Sequence, residues 1–139
     1  MSWGVPEHGA VRLDVQDVED LRQAYAFAEL YADFVGGPVE VDLWDVQLSV
    51  NRPLIMQFLV GHPTLSRVLV HDDGAGHYAV GELPTGDGAE IRYLRPSGPF
   101  TAEPETTTIT PAQARTVLAD FVQTGRASVR VRWAELSMD

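Results

Sequence analysis

Thr110-Pro111-Ala112-Gln113-Ala114-Arg115-Thr116-Val117-Leu118-Ala119-Asp120-Phe121-Val122-Gln123-Thr124-Gly125 reads as a complete helix with both ends marked. Thr110 can accept from the orphan amides of the first turn, Pro111 suits the first helical position, and Gln113 can reach back to close a capping box. Ile109, just before the cap, can staple onto Ala114. Ala114, Val117, Leu118, Phe121 and Val122 recur at the spacing of one buried face, and Gly125 supplies a left-handed stop. Downstream, Val129, Val131 and Trp133 alternate with Ser128, Arg130 and Arg132, the period of a half-buried strand. The rest of the chain has to supply the surface on which this helix and strand pack.

Working outward, Ala10 to Asp14 reads as a short strand before a second helix capped by Asp14 or Asp17, with Asp17, Glu19 and Asp20 at the favourable end of its dipole. Val18, Leu21, Tyr25, Ala28, Ala32 and Val35 form an apolar stripe, broadened by Ala24, Phe27, Tyr31 and Phe34, whose width predicts a well-buried helix ending at Gly36-Gly37. Val39, Val41 and Leu43 then alternate with Glu40, Asp42 and Trp44, a strand with one apolar and one acidic face. Gln47 to Val50 continues it or forms another short strand. Pro53 to Val60 lacks alternation and reads as a central strand covered on both sides. Ser66 to His71 and His77 to Glu82 make a hairpin around Asp72-Asp73-Gly74-Ala75-Gly76. Pro84 to Gly88 is a turn, Glu90 to Leu94 a strand, and Arg95 to Thr108 an extended connection. The expected fold is α+β: one domain over residues 1–139, a mostly antiparallel sheet of about five or six strands, with Val18 to Val35 and Pro111 to Thr124 on one face.

Composition removes several classes of function. The 139 residues contain no cysteine, so disulfides, thiolate nucleophiles and cysteine zinc sites are excluded. The opening Met1-Ser2-Trp3-Gly4-Val5-Pro6-Glu7 has no basic or apolar leader pattern, and the apolar run Pro53 to Gly61 is too short to span a bilayer; the expectation is a cytoplasmic protein without membrane contact. Twenty acids face ten bases, all arginine, for a formal charge of −10. Residues 1–60 hold ten acids and three arginines (net −7), residues 61–139 ten acids and seven arginines (net −3). Such a balance disfavours direct binding to phosphate backbones, despite the arginines in Arg92-Tyr93-Leu94-Arg95 and Arg126 to Arg132. It favours solubility, or an acidic face matched to a basic partner.

No dinucleotide, phosphate-loop, zinc-protease, serine-hydrolase or calcium-loop motif occurs, and no cofactor or metal is expected. The one group that could carry acid-base or ligand chemistry is His71, Asp72, Asp73 and His77, with His62 upstream. Catalysis or ligand binding there requires His71, Asp73 and His77 to converge, whereas Asp-Asp-Gly is also what a hairpin tip uses for positive φ and solvation.

The order of Pro53-Leu54-Ile55, a hairpin, a Tyr93-containing strand, a Gly/Pro-rich connection ending in Thr106 to Thr110, an alanine-rich helix with Phe121-Val122-Gln123-Thr124-Gly125, and a strand ending in Trp133 resembles the first-numbered immunity family of bacterial polymorphic-toxin systems. The resemblance spans roughly residues 37–135; Ala127 stands where a proline after the Gly-Arg pair is usual. It implies a non-enzymatic protein that binds a cognate nucleic-acid-targeting toxin of deaminase type and blocks its active site or substrate groove. It brings no catalytic residues. Under that implication the expected toxin-binding residues are Asp42, Trp44 and Asp45, opposite or beside the apolar strand face, and Asp72 and Asp73 at the hairpin tip.

Overall fold

Helix α1 (Val18–Val35) starts where the Asp17 carboxylate accepts the Asp20 amide at 2.8 Å, and stops at Gly36, whose φ of 84° is left-handed. Helix α2 (Pro111–Thr124) starts on the expected capping box: the Gln113 amide donates to Thr110 Oγ1 at 3.1 Å, and the Thr110 amide donates to Gln113 Oε1 at 2.8 Å. These contacts satisfy amides that the first turn leaves without intrahelical partners. The computed structural model describes residues 1–44, 54–72, 75–83 and 90–136.

The described strands are β1 (Ser2–Val5), β2 (Gly9–Arg12), β3 (Val39–Trp44), β4 (Leu54–Val60), β5 (Val68–Asp72), β6 (Ala75–Val80), β7 (Ile91–Arg95), β8 (Gly98–Ala102) and β9 (Arg132–Glu135). They form a sheet in the order β2-β1-β3-β4-β5-β6-β9, with the β7–β8 hairpin branching from β3. Every pairing is antiparallel except a single parallel bridge, Val39 with Leu94. The class is therefore α+β as expected, with nine described strands rather than five or six.

Strand alternation divides the sheet. Trp3, Val5, Val39, Val41, Leu43, Met56, Phe58, Val60, Val68, Val70 and Ala79 face the helices and form the main core with Leu21, Tyr25, Leu118 and Phe121. Helix α1 approaches on the small ridge Ala24, Ala28 and Ala32, all buried. The opposite face is covered at one end by β7–β8, where Leu59, Ile91, Tyr93 and Ala102 make a second apolar cluster. The chain from Thr106 to Ile109 crosses the end of β6, with Thr108 Oγ1 accepting the Gly81 amide at 2.9 Å. A Cβ on Gly81 would come within 2.2 Å of the Thr108 carbonyl oxygen, so this crossing needs glycine.

Several expectations are corrected. Ser2–Val5 is a strand, and its partner is Gly9–Arg12 rather than Ala10 to Asp14. The connection Arg95 to Thr108 folds back as β8, turning at Pro96-Ser97 with Gly98 at φ 126°, and ends in a single 3-10 turn, Pro104–Thr106. The β5–β6 hairpin pairs up to Asp72 with Ala75, a tighter loop than Asp72 to Gly76. Central β4 is covered on both sides only near Leu59; Ile55 and Gln57 are half-buried. The last strand begins at Arg132, because Ser128 is pulled inward instead: its hydroxyl donates to Asp120 Oδ2 at 2.6 Å, and its carbonyl accepts Trp133 Nε1 at 2.8 Å. Val129 is consequently 98% exposed. Helix α1 is not buried across its whole apolar width, since Phe27 is 49%, Leu30 70% and Phe34 73% exposed. The alanine ridge fills the contact with the sheet, and the flank beyond it meets the rings of Trp3 and His8 at Phe27 and Phe34 but stays largely exposed. The expected strand Gln47 to Val50 and turn Pro84 to Gly88 lie outside the described residues.

Phe121→Ala, which empties a buried site under α2, should cost about 3–5 kcal/mol, Thr110→Ala about 1 kcal/mol through the lost cap, and Val129→Ser almost nothing. Urea denaturation midpoints test the ranking; a large loss for Val129→Ser would restore the longer strand.

Candidate functional site

The half of the sheet's second face that no other described element covers is the candidate surface. Register places Ser2 beside Asp42, Asp42 beside Gln57, Gln57 beside Leu69 and Leu69 beside Tyr78, while Trp44, Ile55 and His71 form the neighbouring row. Directly paired residues project to the same side, so these side chains share one surface. Asp42 and Trp44 thus stand opposite the apolar face as their alternation implied, although both are half-buried.

Three polar side chains are joined across three strands. Gln57 Nε2 donates to Asp42 Oδ1 at 3.0 Å, and His71 Nε2 lies 2.8 Å from Gln57 Oε1. With the amide so oriented, its oxygen can only accept, which puts the imidazole proton on Nε2. Burial lowers the His71 pKa, Asp42 opposes the shift and Arg67 adds to it, so the neutral ring is favoured. Beside this chain the Arg12 guanidinium lies 5.5 Å from the centre of the Trp44 ring, within cation–π range. The surface offers a flat aromatic body, a carboxylate and a neutral imidazole, each already held by a neighbour. That arrangement suits contact with a partner surface, since the side chains are fixed before binding.

The other expected site residues separate. Asp45 and Asp73 lie outside the described residues; Asp72 ends the β5 backbone ladder. His71 pairs with Gly76 on the uncovered face, whereas His77 pairs with Val70, a member of the helix-side core, so the two imidazoles stand on opposite faces of the sheet. His62 sits in the β4–β5 connection, where its Nδ1 accepts the amides of Thr64 and Leu65 at 3.2 and 3.0 Å. The proposed His71/Asp73/His77 group is therefore not assembled through its histidines. Among the described residues, no three His, Asp or Glu side chains are grouped to hold a metal ion.

Two contributors escaped the sequence reading. Gln57 is a lone amide inside the apolar run 54–60, a signal that one face of that strand meets polar neighbours. Arg12 gave no local signal, because its partner Trp44 lies on a strand reached only through β1. Elsewhere, a cleft of about 940 Å³ opens between the end of α1, the β4–β5 connection and the start of α2, lined in part by Glu29, Asp33, His62 and Arg115.

Both His62 and His71 have pKa values lowered by burial from the ordinary 6.5. A base with a depressed native pKa contributes stability that is present above 6.5 and lost as pH falls through the native value. Between pH 8 and pH 5.5 the wild type should lose more stability than a His62→Asn/His71→Gln double variant, whose amides keep an acceptor at one position and a donor at the other. Parallel pH profiles from urea titrations would refute this linkage.

Compared with models of known protein families the chain matches none, and no curated protein shows significant similarity to it.

Proposed function

We propose that this chain is an intracellular binding protein that neutralises a nucleic-acid-targeting toxin, of the deaminase type that the family resemblance implies, by occluding its active site or substrate groove. The observation that carries this reading is how the charge is disposed. Among the described residues, six arginines are engaged with neighbours: Arg22 with Glu19, Arg67 and Arg95 with Glu40, Arg130 with Asp120, and Arg12 and Arg115 over Trp44 and Tyr25. Glu7, Asp14, Asp17, Glu29 and Asp33 meanwhile face solvent. The outward field is negative, the sign that a groove built for phosphates attracts.

Inhibition then needs no catalysis by this chain. An acidic surface steers a basic partner and competes for the sites that phosphates would use, while a desolvated aromatic slows release. Asp42, Trp44 and Asp45, with Asp72 and Asp73 at the hairpin end, are the proposed contacts. The partner is a protein, with no cofactor, nucleic acid or membrane bound directly; among the described residues no helix is long and apolar enough to cross a membrane.

The product of the gene beside this one, made in cells lacking this chain, should arrest growth, and co-expression of the chain should restore it. In binding kinetics with that product, Asp42→Asn/Asp45→Asn should slow association most strongly at low salt. Trp44→Ala should cost about 2 kcal/mol, mainly through faster dissociation. Absence of toxicity would end the reading; rescue with kinetics indifferent to salt and to these substitutions would move the contact elsewhere.

A further inference from the structure

Helix α1 carries a second surface of different character. Phe27, Leu30 and Phe34 are spaced i, i+3 and i+7 along one flank, and Leu30 and Phe34 are 70% and 73% exposed. Side chains at that spacing form a continuous ridge. The ridge is held from below and from one side: Trp3 meets Phe27 at a ring separation of 5.9 Å, and His8 meets Phe34 edge-on at 5.1 Å. Its ordered aromatic rings have already lost much of the freedom that binding would otherwise remove.

The ridge is rimmed by one sign of charge. Asp33 stands at i+3 from Leu30, Glu7 precedes the His8 that meets Phe34, and both carboxylates are exposed. The only base on α1, Arg22, is paired with Glu19 at 2.6 Å near the other end of the helix. From Gln23 to Val35 the helix has no base at all.

We infer that the Phe27–Leu30–Phe34 ridge is a docking surface for a protein segment that presents apolar side chains between lysines or arginines, such as one face of a cationic amphipathic helix. Charge chooses this occupant over the alternatives. A second copy laid ridge to ridge would bring together two surfaces that each carry Glu7 and Asp33, in a chain of net charge −10. An anionic membrane surface would be repelled in the same way. A basic partner removes the apolar ridge from water and meets the carboxylate rim with complementary charge. This surface is on the helix side of the sheet and does not depend on the toxin reading of the opposite face.

The test titrates the full chain with three synthetic peptides: a leucine–lysine amphipathic helix, its leucine–glutamate counterpart, and a serine–lysine peptide of equal charge. The leucine–lysine peptide should bind, with amide NMR shifts confined to α1 and the His8 turn. Its affinity should fall at least tenfold in Leu30→Ser/Phe34→Ser, whose sites are exposed enough to leave the fold intact. Glu7→Lys/Asp33→Lys should switch preference to the glutamate peptide. Equal binding of the serine–lysine peptide, unchanged affinity in the serine variant, or shifts on the β3–β5 face would overturn the proposal. So would a dimer in sedimentation that the serine variant abolishes, which would name a second copy as the occupant.

Discussion

The pairing of β3 with β4 is the constraint on which the rest of the molecule depends. Six consecutive pairs, from Val39 with Val60 to Trp44 with Ile55, set which side chains enter the core. Val39, Val41, Leu43, Met56, Phe58 and Val60 are all buried on the helix side as a result. A slip of one residue would exchange them for Glu40, Asp42 and Gln57. Burying those polar groups without partners would cost several kcal/mol, a large fraction of the stability of a domain this size. The same parity that makes one face dry gives the other its carboxylates and its tryptophan.

On that second face, the one buried acid among the described residues explains why the β7–β8 hairpin lies where it does. Glu40 takes Arg67 at 3.1 Å and Arg95 at 3.2 Å, and Arg67 also rests 4.8 Å from the centre of the Tyr93 ring. Burial raises the Glu40 pKa above the usual carboxylate range, although Arg95 and Arg67 pull it down. Arg67 Nε is buried with no hydrogen-bond partner among the described residues. Both features mark a cluster whose desolvation cost offsets much of its attraction. Its consequence is positional: Arg95 and Tyr93 belong to β7, so satisfying Glu40 fixes the hairpin over Leu59, with Trp44 beyond it.

What was legible in the sequence follows from the range of each interaction. The α2 box and the caps Asp17, Gly36 and Gly125 are local chemistry, and each occurs where its residue type indicates. The facing of Asp42 and Trp44 was legible too, because alternation is local. Strands β1 and β8 were not: each is four or five residues long and interleaved with Gly or Pro, so only tertiary pairing distinguishes it from a turn. Gln57 reaches across 15 positions to Asp42 and 14 to His71, and nothing local announces either bond. Val129 misled because parity within 128–133 is set by the Ser128–Asp120 bond and not by hydrophobicity. The width of the α1 stripe misled for a related reason: an apolar helix face is buried only where another element is available to cover it.

The two candidate surfaces lie on opposite sides of the sheet, yet they share a wall. The β1–β2 hairpin sets His8 against Phe34 on the helix side and Arg12 over Trp44 on the other. It is pinned to α1 by Tyr31, whose hydroxyl accepts the Val5 amide at 3.1 Å and donates to the Gly9 carbonyl at 3.3 Å. A partner on either surface therefore packs against one rim of this edge hairpin. Movement of the hairpin would loosen Phe34 and uncover Trp44 together, since a four-residue strand pair can shift as a unit more easily than it can deform. The paired edge thus makes the order of the α1 ridge and the order of the acidic face a single property, held by one tyrosine and one short turn.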